Sequence, residues 1–284
     1  MKRIVSAAGI VCLLTASVQT QTSFRTRVES VRLDVLVTAG DRPLLGLSAR
    51  DFEVRDNDEL QQVTLIGAGS VPLDVILALD MSSSLTAGRL TALRSASASL
   101  VKTLEADDRA AVVTFNQSVS RLQPLSSDHR LVERALADAT PSGATSLVDA
   151  MYASIGIAEP GDRRTLLIVF SDGIDTASWL PAASVVRAAQ RSETVIYAVS
   201  TAAANRSPTL LSEVTGPSGG KVLEVDSARL RSAFVQILTE FRERYLLSYT
   251  LPSTASAGWH RIDVRVKRRG AQARTRSGYE VPAR

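Results

Sequence analysis

Cysteine is almost missing from this chain. Its 284 residues include one, Cys12, and that one sits in an apolar leader. Without a second thiol there is no disulfide frame and no thiolate metal centre, and loss of the leader would remove the only cysteine nucleophile as well. Histidine is nearly as scarce. His129 lies in a polar helix approach and His260 in a β-patterned tail, and neither has a motif around it. Serine-hydrolase chemistry needs a histidine base held by an acid, so both read as surface histidines. Phosphate-cradling Gly-x-x-x-x-Gly-Lys and Gly-x-Gly-x-x-Gly loops are absent too. Charge is nearly balanced, 33 Lys and Arg against 29 Asp and Glu. The resulting net charge of +4 is no argument for a nucleic-acid partner.

The first residues are of a different kind. Met1-Lys2-Arg3 is a basic start, Ile4 to Val18 is apolar or small, and Gln19-Thr20-Gln21-Thr22 is polar. The apolar part is too short to span a bilayer comfortably and has the form of a secretory signal. Cleavage near its end makes residues 1–21 a signal peptide and the mature protein secreted or periplasmic, with no membrane span. Left uncleaved, the same stretch anchors the protein to a membrane. Val11 stands where a bacterial lipoprotein signal carries a small residue before its cysteine, which argues against lipidation of Cys12.

Beyond the leader, 45% apolar and 22% charged residues describe a globular chain with room for one large domain and a small partner. In residues 22–70, Val31, Leu33, Val35 and Val37 recur at period two, Gly40-Asp41-Arg42-Pro43 turns, and short strands follow around Phe52 and Val63. Residues 71–243 alternate strand and helix patterns, which implies an α/β fold with a doubly wound, mostly parallel sheet. Residues 244–284 return to β: Tyr245 to Leu251, then Ile262, Val264 and Val266 alternating with charges. Neither β segment has enough strands to bury a core alone. The two are expected to pair into one small antiparallel module.

Candidate chemistry sits at the ends of the α/β strands. Val75-Ile76-Leu77-Ala78-Leu79 is a buried-strand pattern that stops at Asp80-Met81-Ser82-Ser83-Ser84. Ligands in open α/β sheets lie just beyond the carboxyl ends of such strands. Oxygens at alternate positions 80, 82 and 84 can converge on one point, and an oxygen-only set suits a hard cation such as Mg²⁺. Two further loops carry oxygens to the same rim: Gly143-Ala144-Thr145, and Ser171-Asp172-Gly173 after the strand Thr165 to Phe170.

The order Asp80-x-Ser82-x-Ser84, then Thr145, then Asp172, resembles the metal-ion-dependent adhesion site of von Willebrand factor type A domains. Asp51-Phe52, Asp56-Asn57, Thr145-Ser146-Leu147-Val148-Asp149-Ala150, Ser171 to Thr176, Tyr245…Tyr249 and Arg276-Ser277-Gly278-Tyr279 are similar to the exported bacterial proteins that carry such a domain. The resemblance implies that Ser82, Ser84 and Thr145 hold a Mg²⁺ ion, or Mn²⁺ or Ca²⁺ in its place, through hydroxyls. It implies that Asp80 and Asp172 act mainly through waters or through those hydroxyls. Hydroxyl ligands under-neutralise the ion, and its open position would take a carboxylate from a protein partner. The implied protein is a non-enzymatic interaction module. The alternatives are an assembly module with a disused metal site and, further off, a hydrolase.

Other features carry less. Met81 departs from the small or hydroxyl residue of many relatives, at a position expected to point away from the ion. Asp149 and Asp175 fit helix-start solvation or support of the ligands. An aspartyl-phosphate hydrolase would need an acid where Ser82 stands. Arg261, Arg265, Lys267, Arg268, Arg269, Arg274 and Arg276 read as the outer face of an exposed hairpin. Trp179 follows the Asp172 loop closely enough to be a contact at the rim.

Overall fold

Period-two patterning in the first β segment becomes strand β1 (Ser30–Ala39), whose Val31, Leu33, Val35 and Val37 are buried. This is a computed structural model, and it describes residues 30–68, 71–159, 161–201, 209–252 and 255–283. The leader expected at residues 1–21, with Cys12, lies outside them. After β1 come β2 (Arg42–Pro43), β3 (Phe52–Asp56), β4 (Glu59–Gln61) and β5 (Thr64–Ala68).

The central stretch alternates as its sequence does. Its elements are β6 (Leu73–Asp80), α1 (Ala87–Val101), β7 (Arg109–Phe115), β8 (Val119–Ser126), α2 (His129–Asp138) and α3 (Leu147–Ile155). They continue with β9 (Arg164–Phe170), α4 (Ala182–Arg191), β10 (Val195–Ser200), α5 (Thr209–Thr215), β11 (Val222–Glu224) and α6 (Leu230–Arg242). The six strands lie in the order β11-β10-β9-β6-β7-β8. All pairs are parallel except β7 with β8 at the edge. Every residue of β6 and β9 is buried, as strands covered on both faces require.

The pleat sorts each strand between two apolar layers. Val75, Leu77 and Leu79 pack with Leu93 and Leu100 of α1, Val132 of α2, and Phe234 and Phe241 of α6. Ile76 and Ala78 pack with Leu147 and Met151 of α3, Val185 of α4, and Leu211 of α5. Met81 joins the first layer, 3% exposed, so its side chain belongs to the core. Helix α3 stops at Ile155, and Gly156 follows as its cap.

The chain closes with β12 (Tyr245–Thr250), β13 (Gly258–Val266), β14 (Ala271–Arg274) and β15 (Gly278–Val281). β12 inserts between β1 and β5, both antiparallel to it, with Leu33 opposite Leu247 and Val31 opposite Tyr249. β13 pairs with β3 on one side and β15 on the other. One apolar cluster unites Val31, Leu33, Phe52 and Val54 with Tyr245, Leu247, Ile262 and Tyr279.

Two expectations about polar residues in these strands need correction. His260 is not at the surface but 5% exposed. Its Nδ1 lies 2.7 Å from Asp56 Oδ1 and its Nε2 2.8 Å from the Ser256 carbonyl. Asp56 Oδ2 accepts hydrogen bonds from the hydroxyls of Tyr249 (2.8 Å) and Tyr279 (2.6 Å). Burial above all, with the bond to Asp56 added, pushes both tyrosine hydroxyls up, so they remain protonated donors. His260 is drawn inward because a buried carboxylate must be satisfied, and strand pairing sets it opposite Tyr279. The arginine tail is likewise not all outward. Arg276 is 9% exposed, donates to the Arg32 carbonyl at 2.8 Å, and lies over the Tyr279 ring. Arg274 pairs with Glu240 of α6.

Buried arginines tie the β strands to the α/β layer. Arg164, at the start of β9, donates from Nε to Asp34 of β1 at 2.6 Å and from Nη2 to the Phe241 carbonyl at 2.8 Å. Arg244 donates to Tyr197 Oη (2.8 Å) and to the Gly219 (2.6 Å) and Asp34 (3.3 Å) carbonyls.

Candidate metal centre

Asp80 closes β6 at the carboxyl rim of the sheet, where the apolar run ends because the chain must leave the core. Oδ1 accepts the Ser82 N–H at 2.9 Å, a short side-chain turn that folds the hydroxyl loop back over the strand end. Oδ2 accepts the Ser171 hydroxyl at 2.8 Å, which links the ends of β6 and β9. Asp80 is 4% exposed, and burial pushes its carboxyl up from the ordinary aspartate value. Hydrogen bonds from Ser82 and Ser171 pull it back down, while the charge of Asp172 adds to the rise.

The hydroxyls of Ser82 and Ser84 stand 3.0 Å apart. Together with Asp80 and Asp172 they line one cavity of about 10 Å³, walled further by Leu85, Arg89, Phe170 and Thr201. That is close to the room one water molecule needs. Asp172 is half-buried, and its Oδ1 accepts the Ile174 N–H at 3.0 Å. Gly173 beside it takes φ +83°, a turn that only glycine makes without strain.

Thr145 is buried but is not among the residues lining this cavity. Its loop is fastened on both sides. Gly143, at φ +71°, accepts the Ser83 N–H at 2.9 Å, and Ser142 N–H reaches the Met81 carbonyl at 2.7 Å. Thr145 itself accepts from the Thr176 and Ala177 N–H groups at 2.8 and 2.9 Å and donates its own N–H to Thr176 Oγ1 at 3.0 Å. The three oxygen-bearing loops therefore form one hydrogen-bonded rim. Four of the five expected side chains share a cavity, and the fifth stands on the adjoining loop.

Asp149 and Asp175 do work that spacing alone left open. Asp175 Oδ1 accepts the Leu147 and Val148 N–H groups at 2.8 and 3.3 Å, capping α3. Asp149 accepts the Trp179 and Leu180 N–H groups, both at 2.9 Å. This exchange between the Thr145 and Asp172 loops holds Trp179 with 93% of its surface in solvent. Arg89 in the cavity wall was missed altogether. A basic residue in a first helical turn carries no signal in sequence that it lines a cavity with a strand end seven residues upstream of its helix.

The donor set is all oxygen, two carboxylates and neighbouring hydroxyls, and it fits a hard divalent cation. Among the described residues no group of three or more His, Cys, Asp or Glu side chains is placed to hold a metal. Any ion here would therefore depend on the serine hydroxyls. The two histidines are elsewhere. His260 belongs to the β core, and His129 Nε2 lies 3.1 Å from the Asp108 carbonyl, at the opposite end of the parallel strands.

Residues 75–174 match the family model described as the von Willebrand factor type A domain. No curated protein matches the sequence. Among solved structures, the fold is similar to that of an aerotolerance-related membrane protein from Bacteroides fragilis. The identity is 17% and the TM-score 0.51, over 60% of this chain and 98% of that one. It is similar also to a von Willebrand factor type A protein from Catenulispora acidiphila, at 16% identity and TM-score 0.54, over 77% of this chain and 52% of that one. A third likeness is to proximal thread matrix protein 1 from the mussel byssus, at 13% and 0.50, over 74% and 50%. The match thus spans about half the length of the latter two. Likeness at these identities speaks to fold. Among the described residues no helix is long and apolar enough to cross a membrane.

Proposed function

Because the chain carries a von Willebrand factor type A domain, we propose that it is an exported protein-binding module whose α/β domain captures a partner's carboxylate through a divalent cation. The ion would be held by Ser82, Ser84 and Thr145, with Asp80 and Asp172 supporting it through waters and hydrogen bonds. Bound there, it would supply an under-neutralised positive centre with a position open to a carboxylate. The observation that carries this reading is the 3.0 Å approach of the Ser82 and Ser84 hydroxyls in a cavity shared with both acids. Asp80 supports it too: both its oxygens already hold the loop, so its part is to position hydroxyls rather than to serve as an open ligand.

On this reading the protein is not an enzyme, and the terminal β segments form one module that carries the domain. Its compartment is the periplasm or the exterior, with the leader at residues 1–21 as the export signal. Isothermal titration of the mature protein with Mg²⁺ and Mn²⁺ tests the centre. Saturable binding is expected for the wild type and none for Asp80→Ala. A wild type that takes up neither ion would leave an assembly module with a disused site.

A further inference from the structure

Arg89 is the one basic residue among the described residues that line the cavity, and a cation alone does not call for it. It stands in the first turn of α1, its N–H 3.5 Å from the capping hydroxyl of Thr86, and, half-buried, it lines the same cavity as Asp80, Ser82, Ser84 and Asp172. A positive charge beside an ion-loading site repels the ion and attracts an anion that reaches the cavity. Among the described residues its side chain has no hydrogen bond and no ion pair. Asp80 is engaged at both oxygens, by Ser82 and Ser171, and Asp172 accepts the Ile174 N–H at Oδ1, and neither is paired with Arg89. Elsewhere in the domain the half-buried arginines are committed, Arg109 and Arg163 to Asp74 and Arg242 to Asp108.

We infer that Arg89 is a second anchor for the partner's carboxylate, and so selects that ligand over a neutral oxygen. The inference rests on the metal-centre reading above. A carboxylate has two oxygens, and a cation with one open position uses one of them. The planar guanidinium fork matches the other, and the pairing is charge-assisted on both sides. An amide or hydroxyl ligand offers the ion an oxygen but gives Arg89 no charge to pair with. The favoured partner group is therefore an aspartate or glutamate side chain or a chain terminus. Arg89 is a specificity residue here, not a metal ligand.

The test uses the mature protein with Mn²⁺, acetate as the carboxylate probe and acetamide as its neutral counterpart. Water-proton relaxation reports both Mn²⁺ binding and displacement of its water by the probe. Acetate is expected to compete on the wild type and acetamide is not. Arg89→Gln should bind Mn²⁺ at least as tightly, because a nearby positive charge is gone, yet lose roughly tenfold in acetate affinity. Arg89→Lys, which keeps the charge without the fork, should fall between. Equal acetate affinity in wild type and Arg89→Gln, both loaded with Mn²⁺, overturns the inference and leaves the metal centre standing. Failure of both the wild type and Arg89→Gln to bind Mn²⁺ overturns the centre and the inference together. Binding of Mn²⁺ by Arg89→Gln alone would make Arg89 an internal substitute for the ion, which also overturns the inference.

Discussion

Asp34→Ala tests how the β strands are coupled to the α/β layer. The carboxylate it removes receives Arg164 Nε at 2.6 Å, and the Arg164 side chain is 1% exposed. Without Asp34, the guanidinium keeps the Phe241 carbonyl at 2.8 Å and the face of the Phe241 ring at 4.6 Å, but no counter-charge. Removing one partner of a buried ion pair costs about 3–5 kcal/mol. Here the lower end applies, because Asp34 and Arg164 border an open cavity of about 360 Å³ through which water can reach the stranded charge. A loss of about 3 kcal/mol corresponds to a fall of roughly 6–12 °C in melting temperature for a chain of this size. Circular dichroism melts of wild type, Asp34→Ala, Arg164→Met and the double variant Asp34→Leu/Arg164→Met provide the assay. The double variant should recover most of the loss, since no charge is left buried. The reasoning is refuted if Asp34→Ala melts within a degree of wild type, or if the double variant is no better than the single one.

Three further outcomes are expected. Burial pushes the Asp80 carboxyl up, so its ionisation takes stability from the metal-free domain as pH rises through the ordinary aspartate value towards the raised one; Asp80→Asn should remove that dependence from melting temperature against pH, and an unchanged profile refutes the assignment. Glu240 is held below the ordinary glutamate range: burial alone would raise it, but Lys221 at 2.7 Å, the Tyr197 hydroxyl and Arg274 outweigh that. Its contribution to stability is therefore present above the ordinary value and lost as pH falls through the lowered one. Glu240→Gln should cost about 2 kcal/mol at pH 7 and flatten the acid limb of stability against pH, and an unchanged limb counts against the assignment. Truncation after Arg244 removes β12, the strand between β1 and β5. Limited trypsin digestion should then cut residues 30–68 readily, whereas wild-type protection of that segment would show it folds without the C-terminal strands.

What could be read from sequence was whatever local pattern encodes. The unbroken apolar run of β6 and β9, each stopped by a polar loop, marks a strand buried on both faces whatever its neighbours are. Asp80, Ser82 and Ser84 lie within five residues, so their convergence follows from one turn. Asp172 was placed by the end of its strand. Thr145 was located on the rim by its loop, but its position relative to the cavity depends on hydrogen bonds to Thr176 and Ala177, some thirty residues away.

His260, Arg276 and Arg89 were misread or overlooked for one reason. A polar side chain's exposure depends on what folds against it, and period-two alternation says only that it shares a face with its second neighbours. Asp56 draws His260 inward from across the β strands, and Arg276 is sealed by the Arg32 backbone and the Tyr279 ring. The residue series alone determined the type and order of the elements, the α/β class of the central domain and the oxygen chemistry at its strand ends, because each is set by neighbours along the chain. Tertiary structure alone decided that β12 lies between β1 and β5, that arginines lock those strands to the α/β layer, and that Arg89 shares a cavity with two acids. Those outcomes turn on burying charge and apolar surface between segments up to two hundred residues apart, a balance that no local stretch of sequence contains.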